Sequence, residues 1–477
     1  MTVIRIETLG CRLNQIESES VAKLFCDNGF TVCMNPVSSK SDADSETKLC
    51  IINTCTVTQK SEQKARRIIR LLLKKYPESA IIVTGCYAQL APAEINKIDP
   101  RICALGGQIK SRLSEVPQLL KSILEKEDFS PVKFAKIIKE KIIAPPVLKL
   151  NFPEASFKLS TSAFMSHSRA SLKIQDGCNN TCSYCAIHIA RGHSVSLDVQ
   201  TAIDRVKELE EKGHDEVVLT TVNIAQYRGE YNNSYCNFSE LLALLLLNTK
   251  TIRFRISSLY PEIVDEEFCR VISDERVQPH FHISVQSGSD KILELMNRNY
   301  KSDDVIEACK KLRKAKSNPF IACDIITGFP GESASDFDAT MELCKACDFA
   351  WVHAFPYSER PGTEAAVMKN KVPQSVSGER AKTITDWAIS QKIKYIEAFT
   401  GKELTAILET AKRPSAIAAA NLQSKVIYHA VTENFIHCEI ISNESFAENH
   451  AVKIKIKNVL SERIKKGGDI EAAAEFL

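Results

Sequence analysis

Apolar runs of strand length alternate with helical patterns over residues 1–125. Three such runs are Val3–Thr8, Leu49–Thr54 and Ala80–Thr84, and they look like strands that are buried on both faces. Between the second and third runs, apolar residues recur at helical spacing in Lys64–Tyr76. This alternation predicts βαβ units that build a parallel sheet.

A longer series of the same kind begins near Ala170. Helical stretches separate six strand-like runs, at 171–175, 216–222, 251–258, 280–287, 321–329 and 350–356. Repeated βα units of this extent predict a full or partial parallel barrel, in which function is carried where strands end. Those ends carry Cys178, Asn223, Ser257, Gln286, Gly328 and Pro356.

After about Gly401 the pattern changes to short alternating runs separated by polar turns. The runs lie at 403–410, 424–432, 435–442 and 452–458 and predict a small antiparallel β-barrel. We therefore expect an α/β protein made of several parts. They are an N-terminal parallel α/β domain at 1–125, a linker at 126–165, a partial (β/α) barrel at 166–398, a β-barrel at 399–465 and a C-terminal tail at 466–477.

Composition indicates an ordinary globular protein, with 477 residues of which 44% are hydrophobic and 25% charged. A formal net charge of +3 means that any nucleic-acid surface must be local. The start of the chain does not resemble a signal peptide, and the most apolar run, Leu241–Leu247, is too short to span a bilayer. We expect a cytoplasmic protein with no membrane partner, whose 17 cysteines are core residues or metal ligands rather than disulfides.

Three cysteines, Cys178, Cys182 and Cys185, follow the first predicted barrel strand at C-x3-C-x2-C spacing. Three interpretations compete: a chance group of buried thiols, a structural zinc site, and a four-iron cluster with one iron left open. The zinc site would need His188 or His193 as its fourth ligand. The cluster is favoured, because an open metal position is what chemistry requires.

Three further cysteines, Cys11, Cys55 and Cys86, each follow a predicted strand of the first domain. Ligands of open parallel sheets bind at the carboxyl ends of the strands. We therefore expect these cysteines to converge in space, although any one of them alone would be interpreted as a buried core residue.

Six motifs resemble those of the methylthiotransferases, a radical S-adenosylmethionine family, and together they cover nearly the whole chain. They are TLGCRLNQIESE, INTCTVT, VTGCYAQ, KIQDGCNNTCSYC, HISVQSGSD and DIITGFPGE. The resemblance implies one [4Fe–4S] cluster on Cys178, Cys182 and Cys185, whose open iron binds S-adenosyl-L-methionine, and a second [4Fe–4S] cluster on Cys11, Cys55 and Cys86.

Three residues are candidates for holding S-adenosylmethionine. The resemblance places Tyr184 beside the adenine of the cofactor. Gln286 and Ser287 end a predicted barrel strand and are candidates by position, with strand capping as the alternative.

Within the family, LGC–LNQ-ESE and NTCTVT are most similar to the branch that acts on N6-threonylcarbamoyladenosine next to the tRNA anticodon. The resemblance implies a transferase that adds a methylthio group to C2 of that adenine, using an electron donor whose identity the sequence does not give. Alternatives are another methylthiotransferase substrate, either isopentenyladenosine tRNA or a ribosomal protein, and a non-catalytic RNA-binding protein with structural clusters.

The expected macromolecular partner is the tRNA anticodon stem-loop, with no DNA partner. The resemblance implies a TRAM-like RNA-binding β-barrel, and its candidate phosphate contacts are Lys453, Lys455, Lys457, Arg463, Lys465 and Lys466. A solvated strand face is the alternative for these residues. Arg66–Lys75 is a second basic stretch, and Phe435 is a candidate for base stacking or for the barrel core.

The chain departs from the family pattern at three places. His188 stands where proline is usual, Thr221 stands where glycine is usual, and Ser194–Leu197 lacks the usual arginines. These departures leave the cysteines intact and concern the substrate contacts.

Overall fold

The computed structural model describes residues 2–40, 44–126, 129–144, 152–162, 164, 169–409, 426–444 and 446–477. Parts of the predicted linker, the end of the run at 403–410 and the start of the run at 424–432 lie outside these ranges. None of the helices within the ranges has both the length and the apolar character that crossing a membrane requires.

A parallel sheet with helices on both faces forms the first part of the chain, as predicted. Its elements are β1 (Val3–Thr8), α1 (Arg12–Asp27), β2 (Thr31–Cys33), β3 (Thr47–Thr54), α2 (Gln59–Lys75), β4 (Ala80–Gly85), α3 (Cys86–Leu90), α4 (Pro92–Asn96), β5 (Ile102–Gly106), a 3₁₀ segment (Gly107–Glu115), α5 (Val116–Leu124), α6 (Pro131–Ile138), a π-helical segment (Lys139–Ile143) and α7 (Phe152–Phe157). The strand order is β2-β1-β3-β4-β5. Every residue of β4 is buried, because helices cover the sheet on both faces.

The region predicted as a linker contributes to this first domain. Helix α6 places the fully buried Phe134 and Ile138 in the same apolar cluster as Phe25 of α1 and Leu120 of α5. Phe134 and Ile138 are four residues apart, so they lie on one face of this short helix and pack against the core together. The segment is therefore more than a connection between domains.

The central part is a partial (β/α) barrel, as predicted. Its elements are β6 (Ala170–Lys173), β7 (Gln175–Asp176), α8 (Ile187–Arg191), β8 (Val195–Ser196), α9 (Val199–Glu211), β9 (Glu216–Thr220), β10 (Gly229–Tyr231), β11 (Ser234–Cys236), α10 (Phe238–Asn248), β12 (Arg253–Ile256), α11 (Glu266–Ile272), β13 (His280–Gln286), α12 (Asp290–Leu295), α13 (Ser302–Ala315), β14 (Phe320–Thr327), α14 (Ala334–Ala346), β15 (Trp351–Pro356), α15 (Glu364–Val367) and α16 (Gln374–Glu397). The parallel sheets β12-β9-β6 and β13-β14-β15 form the barrel wall. Two isolated parallel bridges, Phe254–Val277 and Leu259–Ile283, connect them.

The two faces of the barrel strands differ in chemistry. Leu219, Ile283 and Ile325 belong to the apolar core that the outer helices cover. Successive strand residues face opposite ways, so the alternate positions line the lumen. These include Arg255 and Asp324. The lumen is therefore polar.

A closed five-stranded β-barrel follows, with the strand order β16-β17-β18-β20-β19. Its elements are β16 (Glu403–Leu408), β17 (Val426–Thr432), β18 (His437–Ser442), β19 (Ala451–Val459), α17 (Ser461–Lys465) and β20 (Ala472–Phe476). The predicted tail at 466–477 is thus wrong, because β20 pairs with both β18 and β19. Its alanine-rich sequence carries little intrinsic strand preference, and closure of the barrel decides its conformation.

Ala472→Asp should destabilise the protein by at least about 3 kcal/mol, because it buries an unpaired carboxylate. Ala472 is fully buried in the barrel, whereas Ala473 is only partly buried. Ala473→Asp is therefore the matched control and should cost much less. Thermal unfolding of the full chain measures both, and equal effects would contradict the role of β20 in closing the barrel.

Candidate functional site

The loop after β7 carries Cys178, Cys182 and Cys185. The Cys185 amide donates to the Cys182 carbonyl at 3.0 Å, which makes the turn tight. Burial raises the pKa of the Cys185 thiol to about 12, and the neighbouring Cys182 and Cys178 add to the shift. The loop therefore gathers the three thiols into one group.

Hydrogen-bond donors surround the sulfurs of this group. The backbone amides of Asn180 and Ile187 lie 3.4 Å from the Sγ atoms of Cys178 and Cys185. The Asn223 side chain donates to Cys178 Sγ at 3.7 Å. Such donors stabilise thiolates, the form in which cysteine binds metals.

Arg298 was not identified from the sequence. Its Nη1 lies 3.4 Å from Cys182 Sγ, and its Nη2 donates to the Ser284 carbonyl at 2.9 Å. The rings of Tyr260 and Tyr300 lie 4.6 and 4.8 Å from the guanidinium carbon. A single arginine in a loop after α12 carries no spacing signal. Its guanidinium places a fixed positive charge beside Cys182.

The second group of cysteines gathers at the carboxyl edge of the first sheet. Cys11 precedes α1, Cys55 follows β3, and Cys86 begins α3 directly after β4. Burial raises the pKa of Cys55 to about 11, and both Cys11 and Cys86 add to the shift. A Cβ on Gly10, whose φ is +102°, would lie 2.5 Å from Cys55 Cβ. Glycine thus allows close approach of the first loop to the second.

No group of three or more His, Cys, Asp or Glu side chains within the described ranges is arranged around one metal ion. His193 is exposed, and its Nδ1 lies 3.4 Å from Asn179 Oδ1. His188 Nδ1 is buried and has no hydrogen-bond partner among the described residues. Each thiolate of a four-iron cluster binds a different iron, and three free thiols with N–H donors beside them fit such a cluster.

A buried ion network lies between the two cysteine groups. Glu17 of α1 pairs with Lys173 of β6 at 3.1 Å and with Lys110 of the 3₁₀ segment. Asp176 accepts from Arg191 at 2.7 Å and from Lys173 at 2.9 Å. All five side chains come from loops or elements next to the cysteines. The network therefore fixes the first sheet against the barrel.

A cavity of about 210 Å³ opens between the first domain and the barrel strand ends. Tyr184 and Gln286 line it, together with Val57 and Thr58 from the loop after Cys55. Ser287 lies elsewhere: its hydroxyl accepts from the Ser289 amide at 3.2 Å, and it lies 3.4 Å from Thr340 Oγ1. The structure thus brings two of the three predicted cofactor residues to one cavity and gives Ser287 a place in the loop after β13.

The other strand-end residues have structural contacts. Thr221 Oγ1 lies 3.3 Å from Ser257 Oγ, and Pro356 lines the cavity. Gly328 has a φ of +70°, and a Cβ there would lie 2.4 Å from Ser377 Cβ. Glycine at this turn is therefore required by packing.

A partial parallel barrel with three cysteines in the loop after its first strands defines a radical S-adenosylmethionine enzyme. The model of the Radical SAM superfamily matches residues 172–344, and that of the Uncharacterized protein family UPF0004 matches residues 3–107. A solved radical S-adenosylmethionine methyltransferase from Kitasatospora setae has the same fold, with a TM-score of 0.52 at 14% identity over 77% of this chain and 74% of its own.

Curated relatives narrow the class. The threonylcarbamoyladenosine tRNA methylthiotransferase of Treponema pallidum is 41% identical over 96% of this chain and 98% of its own length. Its Bacillus subtilis counterpart is 31% identical over 96% and 94%. A tRNA-2-methylthio-N(6)-dimethylallyladenosine synthase of Clostridium novyi is 31% identical over 85% of both chains. The chain belongs to the threonylcarbamoyladenosine tRNA methylthiotransferase family. The predicted family and its transferase class are confirmed.

Replacing Glu17 by glutamine should destabilise the protein by about 3 kcal/mol or more, because it leaves buried cations unbalanced. Burial alone would raise the pKa of Glu17, but Lys110, Lys173 and Arg191 outweigh burial and hold the pKa well below its ordinary value. A lowered pKa gives stability that is present above the unfolded value, about 4.3, and is lost as the pH falls towards the folded value.

Wild type should therefore lose stability on acidification below about pH 4.3, and Glu17→Gln should lose less over the same interval. Thermal unfolding across a pH series measures this difference. Asp27→Asn is the matched control, because the Lys23–Asp27 pair, at 2.8 Å, is exposed and contributes little. A Glu17→Gln protein as stable as the control would contradict the role of the network.

Proposed function

We propose that this chain adds a methylthio group to C2 of N6-threonylcarbamoyladenosine next to the tRNA anticodon, giving 2-methylthio-N6-threonylcarbamoyladenosine. One observation carries the proposal: a single cavity is lined by residues adjacent to both cysteine groups. Tyr184 precedes Cys185, and Val57 follows Cys55 by two residues. A substrate in this cavity is next to both groups. The full-length similarity to curated threonylcarbamoyladenosine tRNA methylthiotransferases supports the choice of substrate.

The chemistry explains why two metal centres are needed. A C2–H bond of adenine is not acidic and has no leaving group, so a positioned acid or base is not sufficient. Cys178, Cys182 and Cys185 would hold a [4Fe–4S] cluster, which with S-adenosylmethionine would supply the one-electron chemistry needed at an unactivated C–H bond. Cys11, Cys55 and Cys86 would hold a second cluster, which would supply the sulfur, and a further S-adenosylmethionine would supply the methyl group.

The protein's own residues position and enclose these groups. Tyr184 and Gln286 present a ring and an amide to the cofactor in the cavity. Arg360 closes the junction beside it: its Nη1 donates to Glu62 Oε1 at 2.8 Å and to the Thr56 carbonyl at 3.2 Å. This arginine holds the loop after Cys55 against the barrel rim, which limits the access of water.

The tRNA contacts are assigned to exposed basic side chains. Helix α2 exposes Lys64, Arg67, Arg70 and Lys74 on the side of the first domain that also carries Cys55. We propose that this face binds phosphates of the anticodon stem-loop, in a cytoplasmic setting, with a salt-dependent affinity. The proposed reaction also needs an electron donor as a partner, and its identity is not assigned.

The lysines of β19 alternate with buried isoleucines, so they lie on the outer strand face as predicted. Several already have partners: Lys453 donates to Thr405 Oγ1 at 3.0 Å, and Lys457 pairs with Glu475 at 3.0 Å. Base stacking by Phe435 is not supported, because its ring stacks on His280 with centroids 4.0 Å apart. The C-terminal barrel is therefore assigned a secondary role in RNA binding.

Cys182→Ala should stop cleavage of S-adenosylmethionine, whereas Cys55→Ala should spare cleavage and block methylthiolation. The assay is anaerobic reconstitution, then reaction with S-adenosylmethionine, reductant and threonylcarbamoylated tRNA, followed by nucleoside analysis. Cys26→Ala, at an exposed position on α1, is the control and should retain both activities. Parallel reactions with isopentenyladenosine tRNA and with ribosomal protein test the alternatives. Normal methylthiolation by Cys55→Ala would refute the two-cluster assignment.

Gly10→Ala should lower the iron content of reconstituted protein from about eight to about four, because its Cβ would displace Cys55. Gly29→Ala is a close control: its φ is +85°, so the backbone strain is similar, but a Cβ there meets nothing within 4 Å. It should retain about eight irons. The same iron content in both variants would contradict the assignment of Cys55 as a ligand.

A further inference from the structure

A group of charged side chains lies in the barrel lumen. Arg255 of β12 and Glu216 of β9 form a two-pronged pair, with Nε–Oε1 and Nη2–Oε2 distances of 2.7 and 2.9 Å. Glu216 Oε2 also accepts a hydrogen bond from the Gln278 side-chain amide at 3.0 Å. Both oxygens of this carboxylate are therefore already hydrogen-bonded.

Arg169, which precedes β6, has no comparable partner. Its Nη1 and Nη2 lie 3.8 Å from carboxylate oxygens of Glu216 and Glu409, beyond hydrogen-bond distance. Its Nε and Nη1 are buried without a hydrogen-bond acceptor among the described residues, and the residue is only 8% exposed. Buried donors of this kind require an acceptor.

Arg12 enters the same group from the first domain. It directly follows Cys11, and its Nη1 lies 3.4 Å from Ser171 Oγ of β6, a long contact. Burial, together with the positive charges of Arg169 and Arg255, lowers the pKa of Arg12 to about 10, although Glu216 and Glu409 act in the opposite direction. The guanidinium is thus held near like charges.

The two carboxylates of the group do not satisfy Arg169. Glu216 is held by Arg255 through both of its oxygens, and the Glu409 carboxylate lies 3.8 Å from Arg169 Nη2. Within the described ranges, therefore, no carboxylate lies at hydrogen-bond distance from the buried Arg169 guanidinium.

An imidazole adds another polar atom without a partner at this place. His280 of β13 is 9% exposed, and its Nδ1 is buried without a hydrogen-bond partner among the described residues. Its ring stacks on Phe435, and the guanidinium carbons of Arg169 and Arg255 lie 5.9 and 5.5 Å from the centroid of the same Phe435 ring. Unpartnered polar atoms of Arg169 and His280 therefore lie around one ring.

Polar side chains of β13 and β14 lie between this group and the cavity. His282 lies two residues after His280 on the same face of β13, and its Nε2 lies 3.0 Å from Asp324 Oδ2. Asp324 also lines the cavity that holds Tyr184 and Gln286. Polar side chains thus lead from the cavity towards the unpaired arginines.

We propose that Arg12 and Arg169 bind the carboxylate of the N6 substituent of the substrate nucleoside. This inference rests on the proposed function and deepens it by naming the groups that select the substrate. A threonylcarbamoyl group carries one carboxylate at the end of its substituent, which supplies an acceptor for the buried guanidinium donors of Arg169. An isopentenyl group carries none. The lumen site therefore selects for an acidic substituent.

The test is binding without turnover, using reconstituted protein with S-adenosylmethionine and no reductant. The probes are anticodon stem-loops that carry threonylcarbamoyladenosine, the same nucleoside with its carboxylate converted to an amide, or isopentenyladenosine. Wild type should bind the carboxylate form about tenfold or more tightly than the amide, as a charge-assisted hydrogen bond allows. Arg169→Gln and Arg12→Gln should each lose most of this preference and bind the amide as wild type does.

Arg270→Gln is the matched control, because it removes one positive charge at an exposed position, where Arg270 lies 3.9 Å from Glu267. It should keep the wild-type preference. Thermal unfolding of each variant establishes that it is folded, and using two arginines keeps the test decisive if one variant fails to fold.

Retention of the wild-type preference by both Arg169→Gln and Arg12→Gln would overturn the inference, as would a wild type that does not distinguish carboxylate from amide. The same variants also test whether the arginines bind only small free anions. In that case added acetate would raise the thermal stability of wild type more than that of the variants. The preference for the carboxylate stem-loop over the amide would be the same in all of them, and the inference would be wrong. Failure of the proposed function has a different signature: no methylthiolation of threonylcarbamoylated tRNA by wild type in the presence of reductant.

Discussion

The buried ion network around Glu17 is the interaction on which the site depends. One carboxylate of the first domain balances Lys173 and Arg191 of the barrel, as well as Lys110 of its own domain. Buried charges tolerate little displacement, because a separated pair leaves an uncompensated charge in a poorly solvated place. The network therefore holds two separately folded sheets in one relative position. Residues adjacent to both cysteine groups then line the same cavity.

The two cysteine groups use the same structural device in different sheets. Each parallel strand delivers its following loop to one edge, so cysteines far apart in sequence meet there. The group of Cys11, Cys55 and Cys86 uses three strand ends, whereas the group of Cys178, Cys182 and Cys185 fits in one loop after β7. Gly10 shows how tight the arrangement at the three strand ends is, since even a methyl group there would meet Cys55. The backbone thus sets the spacing of the thiols before any metal binds.

The residues for the reaction and the residues that we propose to recognise the substrate lie in different parts of the barrel. The cysteines and the cavity residues lie at the strand ends, where any methylthiotransferase of this fold needs them. Arg169 and His280 lie at the other ends of their strands, directly before β6 and at the start of β13. Relatives named for a dimethylallyl substrate are also similar to this chain over most of its length. The substituent on N6 is the difference that the lumen is placed to detect.

Local patterns in the sequence determined the strands, the helices and both cysteine groups, because each depends on residues that are neighbours in the chain or on the fixed direction of parallel strands. The zinc alternative remained open because a single loop does not show whether a histidine points at its cysteines. Arg298, the Glu17 network, strand β20 and the contact between Phe435 and His280 were decided by tertiary structure alone. Each joins residues far apart in sequence, and a lone charge, an alanine run or one aromatic ring carries no periodic signal. Burial gives these residues their roles, and burial is a property of the folded chain.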